Sequence, residues 1–252
     1  MAFDPIDTPS LDYHTQTDGH YKPRGLSDNI AFRFVKLLRF VADTFFAKRY
    51  GHRAVVLETV AAVPGMVGGL LQHLSAIRHI RDDNGWIRTL LDEAENERMH
   101  LMTFIKIAQP SRFERLVVML TQAIFYNAYF FLYLFAPRTA HRVVGYFEEE
   151  AVTSYTQYLE EIDAGRHENI PAPQIAIDYW KLSPDARLRD VVIAVRADEA
   201  GHRDVNHAFA DAYDDGRVGN KRIVDPRHQH KPGSSPGRHA AVLNDGPNQV
   251  SG

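Results

Sequence analysis

The feature that most restricts this chain is a pattern of carboxylates and imidazoles that occurs twice over. Glu58 is the single charge in Ala54 to Leu71, a run reading Ala-Val-Val-Leu-Glu-Thr-Val-Ala-Ala-Val-Pro-Gly-Met-Val-Gly-Gly-Leu-Leu. A carboxylate buried in such a run is costly, so it is either neutral and hydrogen-bonded or bound to a cation. Glu97 and His100, in Glu-Ala-Glu-Asn-Glu-Arg-Met-His, stand at i, i+3 and share one helical face; Glu199 and His202 repeat the spacing in Ala-Asp-Glu-Ala-Gly-His-Arg. Between the two pairs lies Glu148-Glu149-Glu150. The helical neighbours of Glu148 are His141, Val144, Ala151, Val152, Tyr155 and Leu159, so Glu148 faces inward. Glu149 looks along Arg142, Thr153 and Thr156, and with Glu150 belongs on a solvated or salt-bridged face. The order is therefore a lone-Glu helix followed by a Glu-x-x-His helix, twice. That is the ligand set of four-helix bundles holding two metal ions, so the expected fold is all-α, a ferritin-like four-helix bundle.

The ligand types narrow the metal. There is no cysteine among the 252 residues, which removes disulfides, thiolate sites, iron-sulfur clusters and thiol nucleophiles together. Four carboxylates offset most of the charge of two ferrous or ferric ions, and hard oxygen donors favour the oxidised state. Zinc prefers more histidine or cysteine and has no redox chemistry. Two iron ions in a non-haem di-iron centre are the expected cofactor. The net charge of -3, with lysines and arginines spread along the chain, argues against a nucleic-acid partner.

Outside the pattern, residues 1–25 read as a polar N-terminal arm, 26–215 as the di-iron helical domain and 216–252 as a disordered C-terminal tail. Ser27 is a plausible N-cap for a first helix reaching about Tyr50, with Arg33, Lys36, Arg39 and Asp43 on one face and a wide apolar arc elsewhere, the pattern of a helix lying in a membrane interface or, alternatively, of a core helix with a basic edge. Leu116 to Ala136 has no charged residue, yet it carries Thr121, Gln122, Asn127, Tyr126, Tyr129 and Tyr133. A crossing helix there would leave the ligand candidates on opposite sides of a bilayer, so the two apolar helices are expected to form a monotopic membrane-binding face. Further helices are expected at about Arg53 to Ile80, loosened near Pro64, Gly65, Gly68 and Gly69; at Trp86 to Ile107; at Arg138 to Ala164; and at Pro184 to Asp215, with Ser183 as its N-cap.

The segments Leu57-Glu58-Thr59-Val60-Ala61, Asn96-Glu97-Arg98-Met99-His100-Leu101, Glu148-Glu149-Glu150-Ala151-Val152 and Arg196-Ala197-Asp198-Glu199-Ala200-Gly201-His202-Arg203 resemble those of the alternative oxidase family. The resemblance covers about Leu26 to Asp215. It implies an interfacial, homodimeric, cyanide-resistant quinol oxidase that couples two ubiquinols, or a related quinol, to reduction of molecular oxygen to water without pumping protons. It implies Glu58, Glu97, His100, Glu148, Glu199 and His202 as the di-iron set and Tyr155 as a redox-active catalytic tyrosine. It further implies Arg53, Leu57, Thr59, Ala61, His141 and Ser154 around the quinol. Asn96, Asp198 and Trp180 are candidates to support the metal-site histidines. The missing cysteines depart from plant members, and a bacterial-type protein on the inner membrane, bound to the lipid of one leaflet with its metal site facing the cytoplasm, is the expectation. A di-iron quinone-ring hydroxylase and a non-enzymatic ferritin-like iron-binding protein are the alternatives.

Overall fold

The computed structural model of the chain describes residues 19–46, 50–109 and 112–214. The tail at 216–252 and most of the arm at 1–25 lie outside those residues. Among the described residues the architecture is all-helical: α1 Gly25–Phe46, α2 Tyr50–His79, α3 Trp86–Ala108, α4 Arg112–Phe135, α5 Pro137–Asp163, α6 Gln174–Trp180 and α7 Leu188–Asp214. The bundle is built from two principal pairs, α2 against α3 and α5 against α7, with α1 and α4 laid over α5 and α2.

Each pair has a sequence reason to pack closely. In α2, Gly65 faces the α3 backbone so nearly that an added Cβ would stand 2.3 Å from the Leu90 carbonyl oxygen. The helix runs on through Pro64 without interruption, and this part of the glycine-rich stretch serves close approach. Between α5 and α7, the fully buried Arg142 donates to Asp211 at 2.6 Å, to Tyr21 Oη at 3.0 Å and to His207 Nδ1 at 3.0 Å. Arg138, one turn earlier, ties Asp28 of α1 and Asp214 of α7 at 2.6 Å each. Apolar packing fills the rest. Ala54, Val55, Phe104, Tyr158, Val191 and Val195 form one end of the core, and Val63, Val67, Tyr129, Tyr133 and Val144 another part.

The two helix starts expected from Ser27 and Ser183 fall elsewhere. α1 begins at Gly25, with the Arg24 amide donating to Asp28 Oδ2 at 2.9 Å, and the Ser27 hydroxyl instead shares a 2.8 Å hydrogen bond with Thr139. Pro184 sits in a turn, because Ala172 N–H donates to Ala186 O at 2.9 Å and Leu188 N–H to Ile170 O at 2.8 Å. Those bonds hold 186–188 beside 170–172 as an isolated bridge, so α7 starts only at Leu188, where the Asn169 side chain caps the Arg189 amide at 2.9 Å.

By length and composition α2 and α4 are each apolar enough to cross a bilayer, but they differ in burial: 61% of the relevant window of α2 is inside the protein against 11% for α4. α2 is a core helix. α4 turns Leu116, Met119, Leu120, Ile124, Phe131 and Phe135 outward, and α1 does the same with Leu26, Ile30, Phe34, Leu37 and Val41. The two outward faces are neighbours, since Leu132 of α4 packs with Ala31 and Val35 of α1 on Val143 and Tyr146 of α5. The basic stripe of α1 is directed differently from expectation. Lys36 and Arg39 reach inward to Glu150 of α5, and Asp43 pairs with Arg53 of α2. Arg33 stays exposed.

Candidate metal centre

Four helices deliver the carboxylates to one place. Glu58 from α2, Glu97 and His100 from α3, and Glu199 from α7 each bring a ligand atom within 4.8 Å of the others, and all four are buried. His100 Nδ1 lies 3.2 Å from Glu199, 3.3 Å from Glu97 and 3.6 Å from Glu58. His202 Nδ1 lies 2.6 Å from Glu97. Glu148 of α5 is buried against Glu199. Glu149 and Glu150 point away from this cluster. Glu149 accepts from Tyr21 N at 2.8 Å, from His20 at 2.5 Å and from His207 at 3.1 Å, while Glu150 accepts from Lys36 and Arg39.

The electrostatics of the cluster call for cations. Burial and the neighbouring Glu97 push the Glu58 carboxyl well above the ordinary carboxylate range, and burial with Glu199 and Glu97 does the same to Glu148. Burial also acts upward on Glu97 and Glu199, but His100 and His202 overcome it and hold both below the usual range. The ion-pair partners of these carboxylates are His100 and His202, two imidazoles against four carboxylates. Beyond these ion pairs, Glu58 Oε2, both oxygens of Glu97, His100 Nδ1, Glu199 Oε2 and both nitrogens of His202 are buried and make no well-aligned hydrogen bond. Such atoms are rare in a folded protein unless something else binds them.

The surroundings of His100 support the same conclusion. Asp198 Oδ2 accepts from Trp180 Nε1 at 2.8 Å, from Asn96 Nδ2 at 2.9 Å and from His100 Nε2 at 3.2 Å. The three residues expected to support the histidines therefore meet at one carboxylate oxygen. With its Nε2 proton held by Asp198, His100 presents Nδ1 to three carboxylates, and a metal cation there would take the place of the Nδ1 proton that pairs with them. Oxygen and imidazole donors without thiolate suit iron or manganese, so the residues fit a pair of such ions. The Tyr155 hydroxyl donates to Glu58, and burial together with Glu58 raises it well above the ordinary phenol value.

The residues expected around a quinol divide into two groups. Arg53 and Ser154 are joined at 3.0 Å, next to Asp43 of α1, and Leu57 on the same helix is partly exposed. Thr59 is buried with its hydroxyl given to Val56 O at 2.6 Å, and Ala61 is half-buried two residues on. His141 does not join them. It precedes Ser154 by thirteen residues of α5, about 20 Å of helix, which is beyond the reach of one head group. It is fully buried between Tyr133 and Asn206, each at 3.0 Å. Two residues beyond the expected set sit close to the centre. Glu93, one turn before Glu97 on α3, is buried, and Asn206 of α7 holds it. The run Asp92-Glu93-Ala94-Glu95-Asn96-Glu97 hides Glu93 among other acids, although its four-residue offset from Glu97 was a usable signal.

Comparison with known proteins agrees with this geometry. The alternative oxidase family model matches residues 10–211. Similar proteins include the mitochondrial ubiquinol oxidase of Batrachochytrium dendrobatidis, 60% identical over 82% of this chain and 66% of that protein. The mitochondrial ubiquinol oxidase 2 of Glycine max is 56% identical over 79% of this chain and 60% of its own length. Ubiquinol oxidase 1a of Oryza sativa subsp. japonica is 56% identical over 84% and 64%. The aligned region thus spans 60% to 66% of the length of these relatives. With the match running across four fifths of the chain and through all six of Glu58, Glu97, His100, Glu148, Glu199 and His202, this chain belongs to the alternative oxidase family.

Proposed function

We propose that the chain is a quinol oxidase, oxidising two ubiquinols per oxygen molecule at a centre of two irons held by Glu58, Glu97, Glu148 and Glu199 with His100 and His202. The observation that carries the reading is the buried cluster itself: four buried carboxylates, three of them with unpartnered oxygens, and a tyrosine hydroxyl donating to Glu58. Two irons held there would supply the redox chemistry that passes electrons from quinol to oxygen. Balance requires two quinols, giving four electrons and four protons, for each oxygen molecule and two waters.

The protein residues divide the remaining work. Arg53, fixed by Asp43 and Ser154, offers its guanidinium to a quinol oxygen, and Leu57, Thr59 and Ala61 bound the same approach along α2. Tyr155 supplies one electron and one proton, its hydroxyl already directed at Glu58. Asp198, with Asn96 and Trp180, fixes the orientation of His100.

The outward faces of α1 and α4 rest on one leaflet, which brings the lipid-soluble quinol to Arg53 without any helix crossing the membrane. The bacterial inner membrane expected from the sequence draws no support from the fungal and plant relatives, which are named as mitochondrial. A second copy of the chain covers Met66, Leu70, Leu74 and Ile77 of α2 and Leu91 of α3, an exposed apolar stripe away from α1.

The test is oxygen uptake by purified protein in detergent, with ubiquinol as sole reductant and cyanide present. One oxygen consumed per two quinols, lost in Glu148→Ala, is the expected result, and light scattering on the same sample should give two chains. A hydroxylated quinone product would favour the hydroxylase instead. Iron loading without uptake, in protein soluble without detergent, would favour an iron-binding protein.

A further inference from the structure

The end of the bundle away from Arg53 and Ser154 contains a file of buried polar groups that the proposed reaction does not use. Gln72 Nε2 donates to Tyr133 Oη at 3.2 Å, and Tyr133 Oη lies 3.0 Å from His141 Nε2. His141 Nδ1 is 3.0 Å from Asn206 Oδ1, and Asn206 Nδ2 lies 3.0 Å from each oxygen of Glu93. Every one of these groups comes from a different part of the fold: α2, α4, α5, α7 and α3 in turn.

The direction of the hydrogen bonds follows from the last one. Asn206 uses its amide N–H groups on Glu93 and on His202 O, at 3.0 Å, so its oxygen must accept from His141 Nδ1–H. Burial first, and the adjacent Arg142, lower His141 to about 4, so the ring is neutral and Nε2 accepts from the Tyr133 hydroxyl. Each donor in the file therefore points toward Glu93, and bonds aligned in this way polarise one another. An amide nitrogen has no lone pair to offer a protonated carboxyl, and a donor facing both oxygens favours the charged form. Glu93 is also close enough to the cluster to act electrostatically on Glu148 and His202.

The geometry points to Glu93 as a fifth carboxylate of the centre. It is held as an anion behind Glu97 by the file from Gln72 through Tyr133, His141 and Asn206, and it helps to set the potential at which the bound metal releases its electrons. This inference rests on the reading of the cluster as an iron centre. A fixed negative charge stabilises the more highly charged, oxidised ions over the reduced ones, so it lowers the reduction potential. Glu93 and the file are positioning and tuning groups and touch neither quinol nor oxygen in this reading.

The experiment is a redox titration of iron-loaded wild type, Glu93→Gln and Tyr133→Phe in detergent, followed by electron paramagnetic resonance, with iron content measured on each. Glu93→Gln keeps the shape and removes the charge. The ratio of reduced to oxidised centres at a fixed potential should rise about tenfold or more, the effect of one charge about two turns of helix away or nearer at an effective dielectric constant of about 20. Tyr133→Phe removes one donor and should move the ratio less, in the same direction. An unchanged ratio in both variants, with full iron content, overturns the inference.

Infrared difference spectra of the metal-free wild type and Glu93→Gln provide a second readout should the variant load iron poorly. Loss of an ionised carboxylate band supports the inference, and loss of a protonated carboxyl band overturns it. A wild type that takes up no iron would instead strike at the metal reading on which the inference stands.

Discussion

Replacing Gly65 by alanine tests whether the closeness of α2 and α3 is what assembles the centre. The new Cβ would lie 2.3 Å from Leu90 O, 3.0 Å from Ala94 Cβ and 3.1 Å from Ala94 N. A carbon and a carbonyl oxygen in ordinary contact are about 3.3 Å apart, so the helices must separate by ~1 Å. Two effects oppose each other. Alanine is favoured over glycine inside a helix by about 1 kcal/mol, whereas overpacking a tight core costs about 1–3 kcal/mol and is worst where the obstacle is backbone. Here the obstacle is a backbone carbonyl in the second turn of α3, so the clash wins, with a net loss of about 2 kcal/mol and a fall in Tm of roughly 4–8 °C. Ala94 stands three residues before Glu97, and Gly65 seven after Glu58, so the separation falls between two members of the ligand cluster. Iron content should fall with stability. Gly68→Ala is the comparison, because its Cβ would meet only the side chains of Leu90 and Tyr133 at 3.2–3.3 Å, which can give way. Calorimetry and iron analysis on both variants decide the matter. A Gly65→Ala protein with wild-type Tm and full iron would refute the argument that backbone contact sets the spacing of the site.

Two other outcomes are expected. Tyr155→Phe should retain iron and lose about 1 kcal/mol of stability with its hydrogen bond to Glu58, while turnover falls by about a hundredfold or more; full quinol oxidation in that variant would remove Tyr155 from the reaction. His141, lowered from 6.5 to about 4 by burial and Arg142, contributes stability that is complete above pH 6.5 and is lost as the pH falls through about 4, because the unfolded chain takes up the proton first. The gap corresponds to about 3 kcal/mol, so melting temperature followed from pH 7 to 4 should fall less steeply for His141→Gln than for wild type, and parallel curves would contradict it.

The parts of this protein that were readable from its sequence are those in which one helix carries the whole signal. The i, i+3 spacing of Glu97 with His100 and of Glu199 with His202 is a property of each helix alone, as is the inward register of Glu148, so the sequence order sufficed to anticipate that they meet. The all-helical class followed from the same periodicity. Features that depend on contacts between segments were not readable. The seven-residue α6 is too short for a periodic pattern, yet it delivers Trp180 to Asp198. The start of α7 is set by backbone bonds to residues 170–172, sixteen or so positions earlier, which no capping residue announces. His141 illustrates a different difficulty: a resemblance assigns a role to a position but carries no distance, and thirteen residues of straight helix separate it from Ser154. Lys36 and Arg39 had the composition of a lipid-facing stripe and a destination on α5 that only the fold could reveal.

The three successive glutamates of α5 point to three different destinations within one helical turn. Glu148 goes to the cluster, Glu149 to His20, Tyr21 and His207, and Glu150 to Lys36 and Arg39 of α1. Trimming the chain before α2 to remove the apolar face of α1 would therefore take His20 and Tyr21 from Glu149 and Lys36 and Arg39 from Glu150, the two acids that follow Glu148. Glu149 would keep only His207, and Glu150 would lose both of its cations within one turn of Glu148. The helix that turns apolar side chains outward thus also braces the turn that carries Glu148.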